Sequence, residues 1–287
     1  MTEQIIFCGK GGVGISTLIS NTSAALAEAG FSVMQIGCNP KADSCSILTN
    51  GFPIPTVCDQ MRKSGGIPSA NVIHKGFKGI DCVELGDSGT PIAMQRVFDR
   101  VEQAKIFEAI QPDYTLYDIS GEHSSAVYLE QIHQRGSSQL FVVTTADFMS
   151  LRAANTIYAT LEQPGASRAA IPFAGLIANG ICNSLEESFI NDFAQHTHTR
   201  ALGMIPRSIM VRQCELYGKT VIEAAPLSNQ SYYYRRLANR IVDRSIMEKN
   251  NVQPQAMNAD GLRSWAREWG DRLFAMENGL VTDGAAI

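Results

Sequence analysis

Residues Gly9 to Thr17 have the types and the spacing of a phosphate-binding loop, Gly-Lys-Gly-Gly-Val-Gly-Ile-Ser-Thr. Glycines let backbone N–H groups converge on an anion, and the start of a following helix adds positive potential. The pattern G-x-x-x-x-G-K-[ST] is met at every position except its lysine. Ser16 is also a candidate ligand of Mg²⁺. The candidate phosphate contacts are Gly9, Lys10, Gly11, Gly12, Gly14, Ser16 and Thr17.

The missing lysine of this loop is replaced by Ile15, which carries no charge. A unit charge at about 4 Å from a phosphate oxygen is worth on the order of 4 kcal/mol at an effective dielectric constant near ~20. This is an upper value, because the ammonium group must itself lose water on binding. The residues therefore predict weak nucleotide binding or none, and both alternatives stay open.

The elements around the loop indicate an α/β fold. Short apolar, β-branched runs are typical of buried parallel strands, and here they alternate with segments whose apolar residues recur at helical spacing. This alternation predicts a doubly wound, mostly parallel sheet with helices on both faces, in a single domain over residues 1–248. The expected strands are 5–8, 32–36, 80–85, 114–117, 140–145, 173–178 and 201–205. The expected helices are 18–29, 94–110, 125–134, 151–163, 184–196 and 230–247.

Residues 249–287 form a tail that contains one amphipathic segment. Apolar residues recur there at i, i+3, i+4 spacing, which predicts a helix with one apolar face. That face packs either on its own domain or on a second subunit. The second alternative is considered because tryptophan is enriched at binding hot spots. The residues of this face are Leu262, Trp265, Ala266, Trp269 and Leu273.

The composition excludes several classes of protein. The 287 residues carry a net charge of −4, which argues against a general binder of nucleic acid. The segment Tyr232 to Arg236 could stack on bases, but at this charge packing in the core or at a dimer contact is favoured. No apolar stretch is long enough to cross a bilayer, and the N-terminus lacks the features of a signal peptide. Seven cysteines without CxxC spacing argue against a disulfide framework, so we expect a cytoplasmic protein.

Several further segments resemble the nitrogenase iron protein family, over residues 4 to 245. Residues 37–43 read Gly-Cys-Asn-Pro-Lys-Ala-Asp and are similar to its switch I, Gly-Cys-Asp-Pro-Lys-Ala-Asp. Residues 118–122 read Asp-Ile-Ser-Gly-Glu and resemble its switch II, Asp-x-x-Gly-Asp. The lysine second in the glycine loop, Lys10, is typical of the "deviant" subclass of phosphate loops. The similarity continues in residues 152–157, 176–179, 205–207, 220–223 and 234–238.

This resemblance implies a homodimer that hydrolyses MgATP and passes electrons from one [4Fe–4S] cluster to a larger partner protein. The family's reactions are dinitrogen reduction and the reduction of protochlorophyllide-like tetrapyrroles. Lys10 resembles the residue that reaches across the dimer to the partner's nucleotide. Further nucleotide or Mg²⁺ contacts implied by the resemblance are Lys41, Asp43, Asn179, Pro206 and Arg207.

The chain departs from the family at both cluster-ligand positions, which hold Ala93 and Ser125. A [4Fe–4S] cluster is held by four thiolates, so alanine offers no ligand and a neutral serine hydroxyl is a poor one. We therefore expect no cluster, and we expect the seven cysteines to be buried or inert thiols. Arg96 falls where the family has an arginine near its partner-docking face, although an ordinary solvated arginine fits equally well.

The switch segments depart from the family as well. Asn39 replaces the switch I aspartate, and Glu122 replaces the second aspartate of switch II and adds a methylene. Displacing a base or a water-orienting group by about 1 Å can lower a rate roughly a hundredfold. Together with Asp118 these are the degenerate catalytic positions, and we expect negligible ATP hydrolysis.

Three functions fit these residues. The favoured one is a non-catalytic binding, assembly or regulatory subunit, as a homodimer or as a heterodimer with an intact paralogue. Its face near Ala93, Arg96 and Ser125 would dock a larger nitrogenase-like or related protein. The second is a nucleotide-responsive switch without redox chemistry. The third is an ATP-dependent reductase component whose cluster has unusual ligands.

Overall fold

A computed structural model of the protein describes residues 2–64, 72–86, 91–103, 110–120, 128–129, 131–132, 138–162, 171–243 and 253–279. The strands are β1 (Glu3–Gly9), β2 (Val33–Gly37), β3 (His74–Lys75), β4 (Asp81–Glu84), β5 (Tyr114–Ser120), β6 (Ser138–Thr144), β7 (Phe173–Ile181) and β8 (Ala201–Pro206). The helices are α1 (Ile15–Glu28), α2 (Val57–Ser64), α3 (Pro91–Gln103), α4 (Phe148–Leu161), α5 (Ser184–His196), α6 (Ile209–Leu216), α7 (Val221–Ala224), α8 (Asn229–Val242) and α9 (Ala259–Glu277). Within these ranges, none of the helices combines the length and the apolar character that a membrane crossing requires.

The eight strands form one sheet in the order β3-β4-β2-β5-β1-β6-β7-β8. Every pairing between these strands is parallel except the one between β3 and β4. In the sheet, β5 and then β2 lie on one side of β1, and β6 and then β7 lie on the other side. Ligands of open α/β sheets bind beyond the carboxyl ends of the strands where the order reverses in this way. The predicted fold class is confirmed, and the loop after β1 lies at that reversal.

Two apolar layers cover the faces of the sheet. Successive residues of a strand point to opposite faces, so Ile6 and Cys8 belong to one layer and Ile5 and Phe7 to the other. The first layer packs under α4, α5 and α9, and the second under α1 and α8. Helices on both faces explain why the β1 residues Ile5 to Cys8 are completely buried.

Several elements differ from the sequence prediction. Helix α3 begins at Pro91 rather than at residue 94, as expected for a proline in the first turn of a helix. Helices α2, α6 and α7 and the two-residue strand β3 were not predicted, because each is too short to show a periodic pattern. A capping signal was nevertheless present for α7, where the Thr220 side chain accepts a hydrogen bond from the backbone N–H of Glu223.

The tail helix α9 packs against α5 of the same chain. Trp265 and Trp269 are 3% and 4% exposed, and both indole N–H groups donate to Asp192 Oδ2 of α5, at 2.7 and 2.6 Å. Trp265 also stacks on Phe189, with ring centroids 5.0 Å apart. The end of the helix is different, because Leu273 is 44% exposed. These tryptophans are therefore not free to anchor a second subunit.

Candidate functional site

The loop between β1 and α1 has the backbone conformation that its glycines allow. Gly14 has a φ of 85°, in the left-handed region, and it leads directly into α1. Gly9 lies so close to β6 that a Cβ there would stand 2.3 Å from the carbonyl oxygen of Val143. The loop is thereby held against the sheet, with the start of α1 facing the space beyond the strands.

A cavity of about 380 Å³ lies in front of this loop. It brings the glycine loop together with the switch I segment that follows β2, because the carboxyl ends of the parallel strands β1 and β2 lie on the same side of the sheet. Two lysines, Lys10 and Lys41, give its wall positive charge. The lining residues are Lys10, Gly11, Gly12, Gly14, Ile15, Ser16, Thr17, Asn39, Pro40, Lys41 and Asp43.

A second cavity, of about 300 Å³, adjoins the first and shares Gly12, Gly14 and Thr17 with it. We call the two together the trough. The loops that follow β7 and β8 form much of the second cavity. Its other lining residues are Val13, Thr145, Asn179, Gly180, Pro206, Arg207, Ser208, Val211, Arg212, Glu215, Gln230 and Tyr234. Every nucleotide-contact residue predicted from the sequence lines the trough except Gly9, which is buried beneath it.

Sequence reasoning missed several lining residues of the second cavity, among them Thr145, Glu215, Gln230 and Tyr234. Gln230 and Tyr234 stand i, i+4 on α8, a spacing that places them on one helix face. Thr17 Oγ1 donates a short hydrogen bond to Glu215 Oε1, although the two residues are 198 positions apart in the chain. No pattern in a single sequence indicates that contact, because it depends on the path of the chain through β8 and α6.

Ile15 occupies the lysine position of the loop and is only 4% exposed. It belongs to the apolar layer that contains Phe7 and Val143, and its Cδ1 would lie 3.4 Å from a Cβ built on Gly9. This position therefore contributes packing beneath the trough instead of a charge at the phosphates.

The switch I residue Asn39 organises its own turn. Its Oδ1 accepts from the backbone N–H of Lys41 at 3.0 Å, and its Nδ2 donates to Asp43 Oδ1 at 3.2 Å. Asparagine commonly stabilises turns by such bonds to residues that follow it. An amide at position 39 thus holds Lys41 and Asp43 at the wall of the trough without adding negative charge.

Two carboxyl groups are buried behind the trough, at the ends of β5 and β4. Asp118 is 0% exposed, and within the described residues neither of its oxygens has a hydrogen-bond partner of normal geometry. Burial raises the pKa of Asp118, and this outweighs the nearby Ser16 and Ser44 hydroxyls, which lower it. Glu84 is 1% exposed, and its Oε1 accepts from the backbone N–H of Cys45 at 2.7 Å. Burial raises the pKa of Glu84 to about 7.

The raised pKa of Glu84 predicts that stability falls as the pH rises. The protonated form is favoured by folding, so its contribution is complete below the unfolded pKa of 4.5 and is lost as the pH approaches about 7. The difference between these two pKa values corresponds to about 3 kcal/mol in the free energy of unfolding. Glu84→Gln is expected to remove that dependence, which urea denaturation between pH 4.5 and 7.5 measures. The exposed Glu268→Gln is the matched control, and coincident pH profiles for Glu84→Gln and the unsubstituted protein would contradict this account.

Of the two positions that correspond to the cluster ligands of the nitrogenase iron protein family, the structure describes only one. Ala93 lies in the first turn of α3, and Arg96 is exposed on the same helix. Glu122 and Ser125 lie outside the described residues. The cysteines are elsewhere: Cys8, Cys38, Cys45, Cys58, Cys82 and Cys214 are buried, and Cys182 is exposed. In the described ranges, no group of three or more His, Cys, Asp or Glu side chains is arranged to hold a metal ion.

A family model described as "4Fe-4S iron sulfur cluster binding proteins, NifH/frxC family" matches residues 3–271. The chain belongs to this family. Nitrogenase iron protein 2 of Paenibacillus durus is 39% identical over 289 residues, which cover 99% of this chain and 97% of that protein. The nitrogenase iron protein of Methanospirillum hungatei JF-1 is 34% identical, with 93% of this chain and 96% of that protein covered. The family resemblance read from the motifs is therefore confirmed.

Solved structures of other proteins share the fold of this NifH/frxC family member. The MinD cell division protein of Aquifex aeolicus has a TM-score of 0.65 at 20% identity and covers 84% of this chain and 97% of its own. MinD of Pyrococcus horikoshii OT3, complexed with Mg-ADP, has a TM-score of 0.66 at 18% identity and covers 85% and 98%. At these identities the likeness shows the fold alone.

A [4Fe–4S] cluster is named in the family description, and thiolates would have to hold it in this family member. At the position in α3 where the family has a cysteine, Ala93 has no donor atom. Thiolates hold such clusters, and six of the seven thiols are buried in or beside the sheet and its helices.

Proposed function

We propose that this protein is a non-catalytic member of the NifH/frxC family that serves as a binding, assembly or regulatory subunit. The observation that carries this proposal is the trough at the glycine loop, where the buried Ile15 stands at the position of the loop's lysine. The glycine loop, the start of α1 and the two lysines would attract phosphate groups weakly. Hydrolysis needs groups that position water and stabilise charge in the transition state. Asn39 replaces one such group by a neutral amide.

A nucleotide-responsive switch is the second candidate, and the residues that line the trough favour it. The trough adjoins Lys10 and Lys41 at one end and the loops after β7 and β8 at the other. Ser16 lines it and lies near the unpartnered carboxylate of Asp118, an arrangement suited to Mg²⁺. MgATP or MgADP bound there would bias the position of switch I through Lys41 and Asp43, with no electron transferred.

We further propose that the protein acts as a homodimer, or as a heterodimer with an intact paralogue, and docks a larger nitrogenase-like or related protein. With no cluster and little nucleotide between the subunits, side-chain packing has to hold them together. Phe148 and Met149 are 38% and 50% exposed. They follow β6 on the side of the sheet where the strands have their carboxyl ends, which is also the side of the phosphate loop. They are candidates for that contact, and Arg96 on α3 is a candidate for the contact with the larger partner.

Anaerobic purification tests the proposal directly. We expect a colourless protein without stoichiometric iron or sulfide that sediments as a dimer at micromolar concentration without nucleotide. The variant Ala93→Cys with Ser125→Cys is the comparator, because it restores both thiolates of the family and is expected to gain iron and colour. Iron and sulfide in the unsubstituted protein at cluster stoichiometry would favour the reductase function instead. A monomer would leave only the heterodimer with a paralogue.

A further inference from the structure

A third cavity, of about 340 Å³, lies at the β8 edge of the sheet, where β8 meets α5 and α8. We call it the edge pocket. None of its lining residues lines the trough, so the two are separate sites. The lining residues are Glu187, Ala201, Gly203, Met204, Ile205, Tyr233, Arg236, Leu237 and Arg240.

Positive charge is concentrated at this edge pocket. Arg236 and Arg240 stand i, i+4 on α8, and Arg200 directly precedes β8. Burial lowers the pKa of Arg240, and the charges of Arg236 and Arg200 lower it further. Within the part of the chain that the structure describes, none of the three forms an ion pair. The one acidic lining residue, Glu187, is exposed.

No ion pair within the described residues compensates this concentration of charge. Like charges at i, i+4 on a helix repel one another, and a half-buried guanidinium has lost part of its water. The chain as a whole carries a net charge of −4, so the cluster is also contrary to its average surface. Clusters of arginine that have no acidic partner are typical of sites for phosphate groups, which guanidinium groups bind through paired hydrogen bonds.

The shape of the edge pocket suits a small ligand rather than an added strand. A Cβ on Gly203 would lie 3.3 Å from Leu237 Cδ1, so the glycine keeps the floor open and apolar. Arg240 Nη1 donates to the carbonyl oxygen of Leu202, which removes an acceptor that an extended peptide would need at this edge. The volume falls within the range of small-molecule sites.

We propose that the edge pocket binds a small anion that carries phosphate groups. The lining residue Arg236 would supply charge at the ligand, and Arg200, which precedes β8 and does not line the pocket, would add to the positive potential. The Tyr233 hydroxyl would donate a hydrogen bond, and Arg240 would hold the wall through Leu202. This inference is independent of the proposed function, because it concerns a different site. A phosphate-bearing ligand could bind here whether or not nucleotide binds in the trough.

Isothermal titration calorimetry with pyrophosphate tests the proposal on the full chain. Arg236→Gln is expected to weaken binding about tenfold or more, because one hydrogen bond between charged groups is lost. Arg263→Gln on α9 removes the same charge from an exposed position and is expected to leave the affinity unchanged. Lys41→Gln reports on the trough, and the binding that depends on Arg236 is expected to persist in it.

Arg236 is exposed, so Arg236→Gln is expected to leave the fold intact, which thermal unfolding checks. A second variant, Tyr233→Phe, keeps the ring and is expected to weaken pyrophosphate binding several-fold. Equal affinity in Arg236→Gln and the unsubstituted protein would overturn the proposal. Loss of all pyrophosphate binding in Lys41→Gln would overturn it too and assign the anion to the trough. Binding of poly-glutamate that depends on Arg236, without pyrophosphate binding, would indicate an acidic protein surface instead.

Discussion

Ile15→Lys is expected to raise the affinity for MgATP about a hundredfold. The new ammonium group would stand at the start of α1, where the pattern places it beside the phosphates. Its Coulomb energy, on the order of 4 kcal/mol, is reduced by the water that it loses, and about 2 to 3 kcal/mol remains. The glycine loop and Ser16 already line the cavity, so the substitution needs no new backbone. Titration of a fluorescent ATP analogue measures the change.

The matched control for this substitution is Ile15→Met, which keeps an apolar side chain of similar volume and adds no charge. It is expected to leave the affinity low. ATP hydrolysis is expected to stay negligible in Ile15→Lys, because Asn39 and Glu122 are unchanged. Rapid turnover by the unsubstituted protein would contradict the non-catalytic proposal, and equal affinities for lysine and methionine would show that the loop has lost its phosphate geometry.

Trp265→Ala is expected to lower the free energy of unfolding by about 3 to 5 kcal/mol. The side chain is 3% exposed, stacks on Phe189 and meets the edge of Phe193, so its removal leaves a cavity between α9 and α5. Urea denaturation measures the loss. Leu273→Ala on the same helix is the control and is expected to change stability by less than about 1 kcal/mol, because Leu273 is 44% exposed.

The same pair of variants distinguishes the two positions considered for the tail. If Trp265 packs on its own domain, Trp265→Ala lowers stability independently of protein concentration. If it packs on a second subunit, the loss grows as the protein is diluted, since dissociation then contributes. A purely concentration-dependent effect would contradict the contact with Asp192 described above.

The sequence predicts the frame of this protein well, for identifiable physical reasons. The glycine loop after β1 is evident because two of its positions require glycine. Gly9 approaches β6 closely, and Gly14 has a left-handed φ. The strands are evident because β1 is buried on both faces and is continuously apolar. Such signals are local, and a single chain displays them without alignment.

The unpredicted parts of the site depend on distant contacts. Glu215 meets Thr17 only because α6 follows the last strand and returns over the loop. The burial of Glu84 behind switch I follows from the pairing of β2 with β4 and cannot be read from an acidic residue at the end of a strand. The residue type of Ile15 is evident from the sequence, but its burial in the apolar layer is not, because the first residue of a helix has no preceding turn whose apolar residues could show the period.

The two tryptophans of α9 are the only two in the chain, and both donate to one carboxylate oxygen of Asp192. The intrinsic tryptophan fluorescence of the whole protein therefore originates in the contact between the tail and α5. Its wavelength reports whether these indoles are docked or in water, and it carries no direct signal from the sheet. A shift in emission that precedes the loss of circular dichroism would mark release of the tail from an otherwise folded domain.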